Sequence, residues 1–206
     1  MKSFIRETEL LSQFIVMGDY YVQNNLNLRR TLEIYKSNTL LQYPDLQIVM
    51  MNPGSSFPYS FDFNSRKLVP ASPDKTQFQL MRLMERCGFQ YARVVNLSDF
   101  VSPKSTDFYR FLQTDAAEDF DHSIFSPSRA QELSITLNCE TITIAAWGVN
   151  RALHGLASSA LKALNTDLLF GIKKEKHSCA YYHPLPRTHT KQIEWLDTLE
   201  KQLRKQ

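Results

Sequence analysis

The stretch LQIVMMNPGSSFPYSF, residues Leu46–Phe61, joins a strongly apolar run to a rigid, polar turn. A short apolar run of this kind is typical of a β-strand that is covered on both faces of its sheet. Proline fixes φ at about −65° and glycine permits a positive φ, so Asn52-Pro53-Gly54 predicts a turn with little freedom. The stretch therefore predicts a buried central strand that ends in a fixed polar loop.

Further apolar runs follow, and segments with helical periodicity separate them. Strands are predicted in YARVVNL, TITIAAWG, DLLFGIK and SCAYYHP, and helices in DKTQFQLMRLMERCG, KSTDFYRFLQ, SPSRAQELSITL, VNRALHGLASSALKAL and from His189 onward. Before Leu46, the segments FIVMGDYYVQ and NLRRTLEIYK have strand-like composition and predict a hairpin or edge pair. Apolar strands that alternate with helices predict an α/β fold, here a single three-layer domain with a mostly parallel central sheet.

The length of 206 residues fits one domain. We divide it into an N-terminal strand or hairpin region (residues 1–40), a motif-bearing core (41–187) and a C-terminal helix (188–206). No apolar run approaches the roughly 20 residues of a membrane span. Glu7 and Glu9 interrupt the apolar core that a signal peptide needs, so we expect a cytoplasmic protein with no membrane partner.

Two further features of the composition bear on partners and cofactors. The three cysteines form no C-x-x-C pair, so we expect no disulfide, no metal site and no cofactor. The net charge of +3 is small, but residues 171–206 carry +4 (eight Lys or Arg minus four Asp or Glu). Residues 99–121 carry six acids against two bases. The basic segment could attract phosphates, although a solvated helix face is the interpretation that we favour for its last ten residues.

Polar residues stand where the predicted strands end. Asn52 follows the first strand, Asn96 ends the second, Gly148 follows the third, and His183 follows the last. In an open parallel sheet, ligands bind beyond the carboxyl ends of the strands. We therefore expect these four residues to line one cleft.

The residue types in these loops suit recognition of a nucleobase. An asparagine such as Asn96 offers two donors and one acceptor, as the edge of a base requires. His183 stands in Tyr-Tyr-His-Pro-Leu-Pro-Arg, where the prolines limit its freedom, and it could donate a hydrogen bond to a departing anion. A base could stack on aromatic side chains of the first loop, namely Phe57, Tyr59 or Phe61. The alternative is that these residues are ordinary turns, caps and core side chains, because Asn, Pro, Gly and Ser dominate turns.

Four blocks, IVMMNPGSS, ARVVNLSDF, ITIAAWGVN and YYHPLPR, occur in an order that resembles the bacterial and phage family catalogued as domain of unknown function 1643. The resemblance spans roughly residues 29–187. The same succession is more distantly similar to the uracil-DNA glycosylase superfamily. That similarity implies a uracil-DNA-glycosylase-like fold and a pocket for a nucleobase.

The similarity to the glycosylases also implies roles for individual residues. Asn52 corresponds to a water-positioning loop, Asn96 to the residue that reads the base, and His183 to the residue that faces the departing base. On this basis Asn52 and His183 are the catalytic candidates, and the ligand-binding candidates are Pro53, Gly54, Ser55, Ser56, Phe57, Tyr59, Asn96, Trp147, Gly148, Asn150, Pro184 and Arg187. Two positions depart from the superfamily pattern. Leu185 replaces a phosphate-contacting serine, and the first loop lacks an acidic water activator.

Three hypotheses follow from the sequence. The protein could hydrolyse an N-glycosidic bond, in DNA or in a free nucleotide, or it could bind a nucleobase, nucleotide or nucleic acid without catalysis. In the third hypothesis it is a structural or interaction domain in which the strand-end motifs are only turns. The sequence leaves open whether the protein is an enzyme, and binding ranks ahead of efficient base excision.

Overall fold

A computed structural model describes residues 4–60, 63, 67–164 and 166–204 of the chain. The strands in these ranges are β1 (Phe14–Gln23), β2 (Leu26–Lys36), β3 (Leu46–Met50), β4 (Leu68–Pro70), β5 (Tyr91–Asn96), β6 (Thr143–Ala145) and β7 (Leu169–Phe170). The helices are α1 (Glu7–Gln13), α2 (Lys75–Cys87), α3 (Ser105–Phe111), α4 (Asp115–Glu118), α5 (Ala130–Thr136), α6 (His154–Leu164) and α7 (His189–Leu203). None of the helices in the described ranges has both the length and the apolar character needed to cross a bilayer.

The strands form one mixed α/β sheet in the order β4-β1-β2-β5-β3-β6-β7. The last four strands in this order, β5, β3, β6 and β7, run parallel to one another. This confirms the prediction that the apolar segments Leu46–Met51, Ala92–Val95, Thr141–Ala146 and Leu168–Ile172 lie side by side as parallel strands of a single sheet. The sheet as a whole is not mostly parallel, because the pairs β1–β2, β1–β4 and β2–β5 are antiparallel.

The antiparallel half begins with the predicted hairpin, which the structure confirms. Asn24 and Asn25 connect β1 to β2 with positive φ angles of 50° and 59°. Asparagine tolerates this left-handed region better than most residues, and it is the conformation that a tight two-residue hairpin requires. The predicted strand SCAYYHP is absent from the described sheet, where Tyr181 forms only isolated bridges to Gly148 and Lys173.

Two hydrophobic cores cover the two faces of the sheet, which gives the predicted three layers. On one face, Ile48 of β3 belongs to a core with Met81 of α2 and Leu196 of α7. On the other face, Val49 belongs to a core with side chains of α3 and α6, including Phe108 and Ala157. Successive residues of a strand point to opposite faces, so β3 must be apolar throughout and all five of its residues are buried.

A β-bulge in the hairpin changes which residues of β2 face the first core. Asp19 pairs with Thr31 and Tyr20 pairs with Arg29, so Arg30 is left without a partner in the ladder. Residues that pair directly point to the same face. Because Tyr20 lies in the first core, the bulge turns Arg29 toward that face and leaves Arg30 on the other.

Candidate functional site

A cavity of about 640 Å³ lies at the carboxyl ends of β3 and β5, on the face of the sheet that α2 covers. Met50 and Val94, from the two strands, form part of its floor, and Phe78 of α2 is part of its wall. The sequence-predicted residues on its wall are Asn52, Gly54, Ser55, Asn96 and His183. These residues span more than half of the sequence. Asn52 and Asn96 meet at the ends of adjacent parallel strands, as the strand-end rule predicts, whereas His183 reaches the cavity from a segment that forms no strand of the described sheet.

Asn52 fastens the loops that surround the cavity. Its amide Nδ2 donates hydrogen bonds to the carbonyl oxygens of Pro53 at 2.9 Å, Ser102 at 3.0 Å and Phe100 at 3.3 Å. These three bonds fix the orientation of the amide group, so the acceptor Oδ1 is the atom that Asn52 can offer to a ligand.

Asn96 is the most unusual polar residue of the cavity. It is the last residue of β5, pairs with Met50 of β3 and is 0% exposed. Neither Oδ1 nor Nδ2 of Asn96 has a hydrogen-bond partner in the described part of the protein. Buried amide groups are nearly always paired, because each unmade bond costs about 1–3 kcal/mol. A donor and an acceptor are therefore available on the cavity wall.

His183 contributes a neutral imidazole to the lining of the cavity. Its Nδ1 accepts a hydrogen bond from the backbone N–H of Leu185 at 3.1 Å, which leaves the ring proton on Nε2. Burial lowers the pKa of His183 to about 4, although the negative charge of Asp74 acts in the opposite direction. At neutral pH, His183 is therefore an uncharged donor.

Helix α7 holds the loop that carries His183. The indole Nε1 of Trp195 donates to the carbonyl of Tyr182 at 3.2 Å, and Nε2 of Gln192 donates to the carbonyl of Pro186 at 2.9 Å. The amphipathic C-terminal helix therefore positions His183.

Asp74 brings to the cavity a carboxylate that the sequence analysis did not assign to the site. It caps α2, and its Oδ1 accepts hydrogen bonds from the backbone N–H groups of Thr76 and Gln77 at 2.8 and 3.1 Å. Its other oxygen, Oδ2, lies so close to Gly54 that a Cβ there would approach it to 2.8 Å. The D-x-x-Q pattern of a capping box predicts the helix start, but it does not reveal that the cap lines a cavity.

Arg29 is the second residue that the sequence analysis missed. It lines the same cavity and is only 2% exposed, yet its Nε and Nη1 atoms have no partner among the described residues. The sequence offers little sign of this role, because strict alternation from the core residue Leu32 would turn Arg30, not Arg29, toward the cavity.

Several predicted ligand-binding residues lie outside this cavity. Trp147 is fully buried in the second core, where its indole N–H bonds to the carbonyl of Cys179 at 2.8 Å. Gly148, with φ of 103°, pairs with Tyr181, and Asn150 caps the short helical turn that follows it. The alternation of β6 continues beyond its end, with Ala146 in the first core and Trp147 in the second, so the Trp-Gly motif does not line this cavity and its ligand-binding role stays a prediction.

Phe57 and Tyr59, two of the aromatic residues predicted to stack on a base, do not line the cavity either. Phe57 packs edge-on against Phe63, with ring centroids 6.0 Å apart, and Tyr59 is 62% exposed. Phe61 lies outside the described residues. Phe78 of α2 carries the aromatic ring that does line the cavity.

The remaining candidates belong to the surrounding framework and do not line the cavity. Pro53 accepts the bond from Asn52, and the carbonyl of Ser56 accepts a hydrogen bond from the hydroxyl of Tyr20 at 3.1 Å. Pro184 is buried, whereas Arg187 is exposed. No group of three or more His, Cys, Asp or Glu side chains in the described ranges could hold a metal ion.

Comparisons with protein-family models, with curated proteins and with solved structures found no match to this chain. Its function is therefore inferred from the residues of the cavity.

The bonds of Asn52 predict that its main contribution is to stability. We expect Asn52→Ala to lower the free energy of unfolding by about 2 kcal/mol, because the two N–H groups of its amide, shared among three carbonyl oxygens, lose their hydrogen bonds. Asn52→Asp should cost more, since a carboxylate oxygen would then face three carbonyls. Urea unfolding measures both effects, with Ser55→Ala in the same loop as the control. Equal stabilities of Asn52→Ala and the wild type would contradict this assignment.

The pKa of His183 predicts a pH dependence of stability. In an unfolded chain histidine titrates near 6.5, so below that pH the unfolded state binds more protons than the folded state. His183 should therefore contribute stability above about pH 6.5 that is lost as the pH falls toward 4. Burial raises the pKa of Asp99 to about 6, which acts in the opposite direction. The comparison must therefore be between wild type and His183→Gln.

NMR titration of the imidazole resonances tests the same point directly. We expect His183 to stay neutral down to about pH 5. A midpoint for His183 above pH 6 would show that the ring is not held in the neutral form.

Proposed function

We propose that the cavity binds a ligand that contains a nucleobase, and that Asn96 recognises the edge of the base. The observation that carries this proposal is the fully buried amide of Asn96, whose donor and acceptor both lack partners in the described protein. A nucleobase edge presents donors and acceptors side by side, as this amide requires. The volume of about 640 Å³ is in the range of small-molecule sites.

The rest of the cavity is compatible with such a ligand. Phe78 provides a ring on which a base could stack, in place of the first-loop aromatics that the sequence suggested. Met50 and Leu80 add apolar surface beside it. The resemblance to the uracil-DNA glycosylases supports the proposal at two positions in particular, because Asn52 and Asn96 lie at the carboxyl ends of adjacent parallel strands.

A second candidate function is the hydrolysis of an N-glycosidic bond, and a specific observation favours it. The turn Asn52-Pro53-Gly54-Ser55-Ser56 has no acidic residue, but Asp74, the N-cap of α2, brings a carboxylate against Gly54 in that turn. Asp74 could accept a proton from water that Asn52 helps to hold, and neutral His183 could donate to the departing base. In this reaction water adds to the sugar carbon, the bond to the base breaks, and the base leaves with the bonding electrons.

Binding of the base should depend on Asn96. We expect Asn96→Ala to weaken binding of the preferred nucleoside or nucleotide by about tenfold or more, because a buried bonding pair is lost. Asn96→Asp replaces a donor with an acceptor and should change which base is preferred. Calorimetry with the common nucleosides and nucleotides measures both. Neither atom of the Asn96 amide has a partner among the described residues, so Asn96→Ala should not lose stability beyond the cost of a smaller side chain.

Equal affinity of wild type and Asn96→Ala for every base would remove the basis of this proposal. A melting temperature of Asn96→Ala far below that of the wild type would instead indicate a structural role for the amide.

Hydrolysis, if it occurs, should require the carboxylate of Asp74. Asn is as good a helix cap as Asp, so Asp74→Asn should fold normally. We expect it to lower the rate of base release by about 10²–10⁴-fold, as for loss of a general base. Release of free base from nucleotides and from duplexes that contain uracil or alkylated bases is the measurement. Asp74→Asn with wild-type turnover would exclude this role, and absence of turnover in the wild type would leave binding as the function.

A further inference from the structure

A buried cation that has no hydrogen-bond or ion-pair partner among the described residues lies on the wall of the same cavity. Arg29 is 2% exposed, and its Nε and Nη1 have no hydrogen-bond partner in the described ranges. The guanidinium group of an arginine carries a positive charge. A buried charge is normally paired with an opposite charge, because its removal from water is costly. The free protein therefore retains a charge that a bound anion could neutralise.

The neighbouring arginine, Arg30, differs from Arg29 because its guanidinium group is paired with acidic side chains. Arg30, one residue along β2, lies on the other face of the sheet and forms ion pairs with Asp19 and Glu132. The bulge at Arg30 separates the two side chains and directs only Arg29 into the cavity. The difference in pairing is thus a consequence of where the backbone aims each side chain.

The acidic side chains of the cavity wall do not neutralise Arg29. Glu7 belongs to the exposed part of α1. Asp74 uses one carboxylate oxygen to accept two N–H groups at the start of α2, where the helix dipole also favours a negative charge. Lys75, at the same helix start, adds a positive charge to the cavity lining.

From these contacts we infer that Arg29 binds an anionic group of the ligand and that the ligand is a nucleoside monophosphate. This inference rests on the proposed function, since it combines the base edge at Asn96 with an anion at Arg29. Phosphate oxygens are strong acceptors for a guanidinium group, whereas a free base or a nucleoside would leave Arg29 unpaired. Among the ligands that Asn96 could recognise, nucleotides are therefore the ones that would also pair with Arg29.

Calorimetry with nucleosides, their 5′-monophosphates and inorganic phosphate tests the inference. In the wild type, at least one monophosphate should bind about tenfold or more tightly than its nucleoside. Arg29→Gln should reduce this ratio to nearly one. Arg30→Gln is the matched control, because it removes the same charge from the other face of the sheet and should keep the ratio. An unchanged ratio in Arg29→Gln would overturn the inference.

Other outcomes separate this inference from the proposed function. If nucleosides bind through Asn96 with no preference for the monophosphate, the proposed function stands and the role of Arg29 is wrong. If inorganic phosphate binds as tightly as every nucleotide, and only Arg29 matters, an anion site exists but the base-binding function fails.

Thermal unfolding shows whether a loss of binding in the Arg29 variants is caused by misfolding. Arg29→Met replaces an unpaired buried charge with an apolar side chain of similar length, so without ligand it should melt at or above the wild-type temperature. Added phosphate should raise the melting temperature of the wild type and not that of Arg29→Met. If both Arg29→Met and Arg29→Gln fail to fold, Arg29 must have a structural partner, and the inference is wrong.

Discussion

The parallel pairing of β3 with β5 is the constraint on which the candidate site depends. Met50 pairs with Asn96, and the backbone N–H of Leu97 continues the ladder to the carbonyl of Met50. This register places the end of β5 beside the loop that follows β3, so that Asn96 and Asn52 reach the same cavity. The amide of Asn52 then ties that loop to the segment after β5. The pairing of β3 with β5 and the positions of the two segments that follow these strands therefore depend on each other.

The polar side chains of the cavity differ in the number of hydrogen bonds that they make with the described protein. Asn52 and Asp74 each make several hydrogen bonds that hold loops or cap a helix, so their remaining oxygen atoms are incidental to folding. Asn96 and Arg29 are buried at a cost that the described contacts do not offset. Proteins retain destabilising buried groups where function requires them. Asn96 and Arg29 are therefore stronger candidates for a functional role than Asn52 and Asp74.

The sequence predicts the regular part of this architecture well. Apolar runs reveal the parallel strands, and the Asp74 cap with Gly88 gives the limits of α2 within a residue. The strand-end rule also brings Asn52 and Asn96 together, whereas His183 enters the cavity from a segment that forms no strand of the described sheet. Side-chain direction is harder to predict, because it depends on register. Trp147 turns to the second core through simple alternation, and Arg29 enters the cavity only because a bulge shifts the phase of β2. A bulge has no reliable signature in one sequence.

The central claim is that Asn96 meets the edge of a base inside this cavity. A crystal structure of the protein with a bound nucleoside monophosphate tests it most directly. The account predicts base atoms at hydrogen-bonding distance, about 3 Å, from both Oδ1 and Nδ2 of Asn96, with the phosphate at Arg29. A nucleotide bound elsewhere, or one in this cavity that leaves the Asn96 amide without a contact, would contradict it.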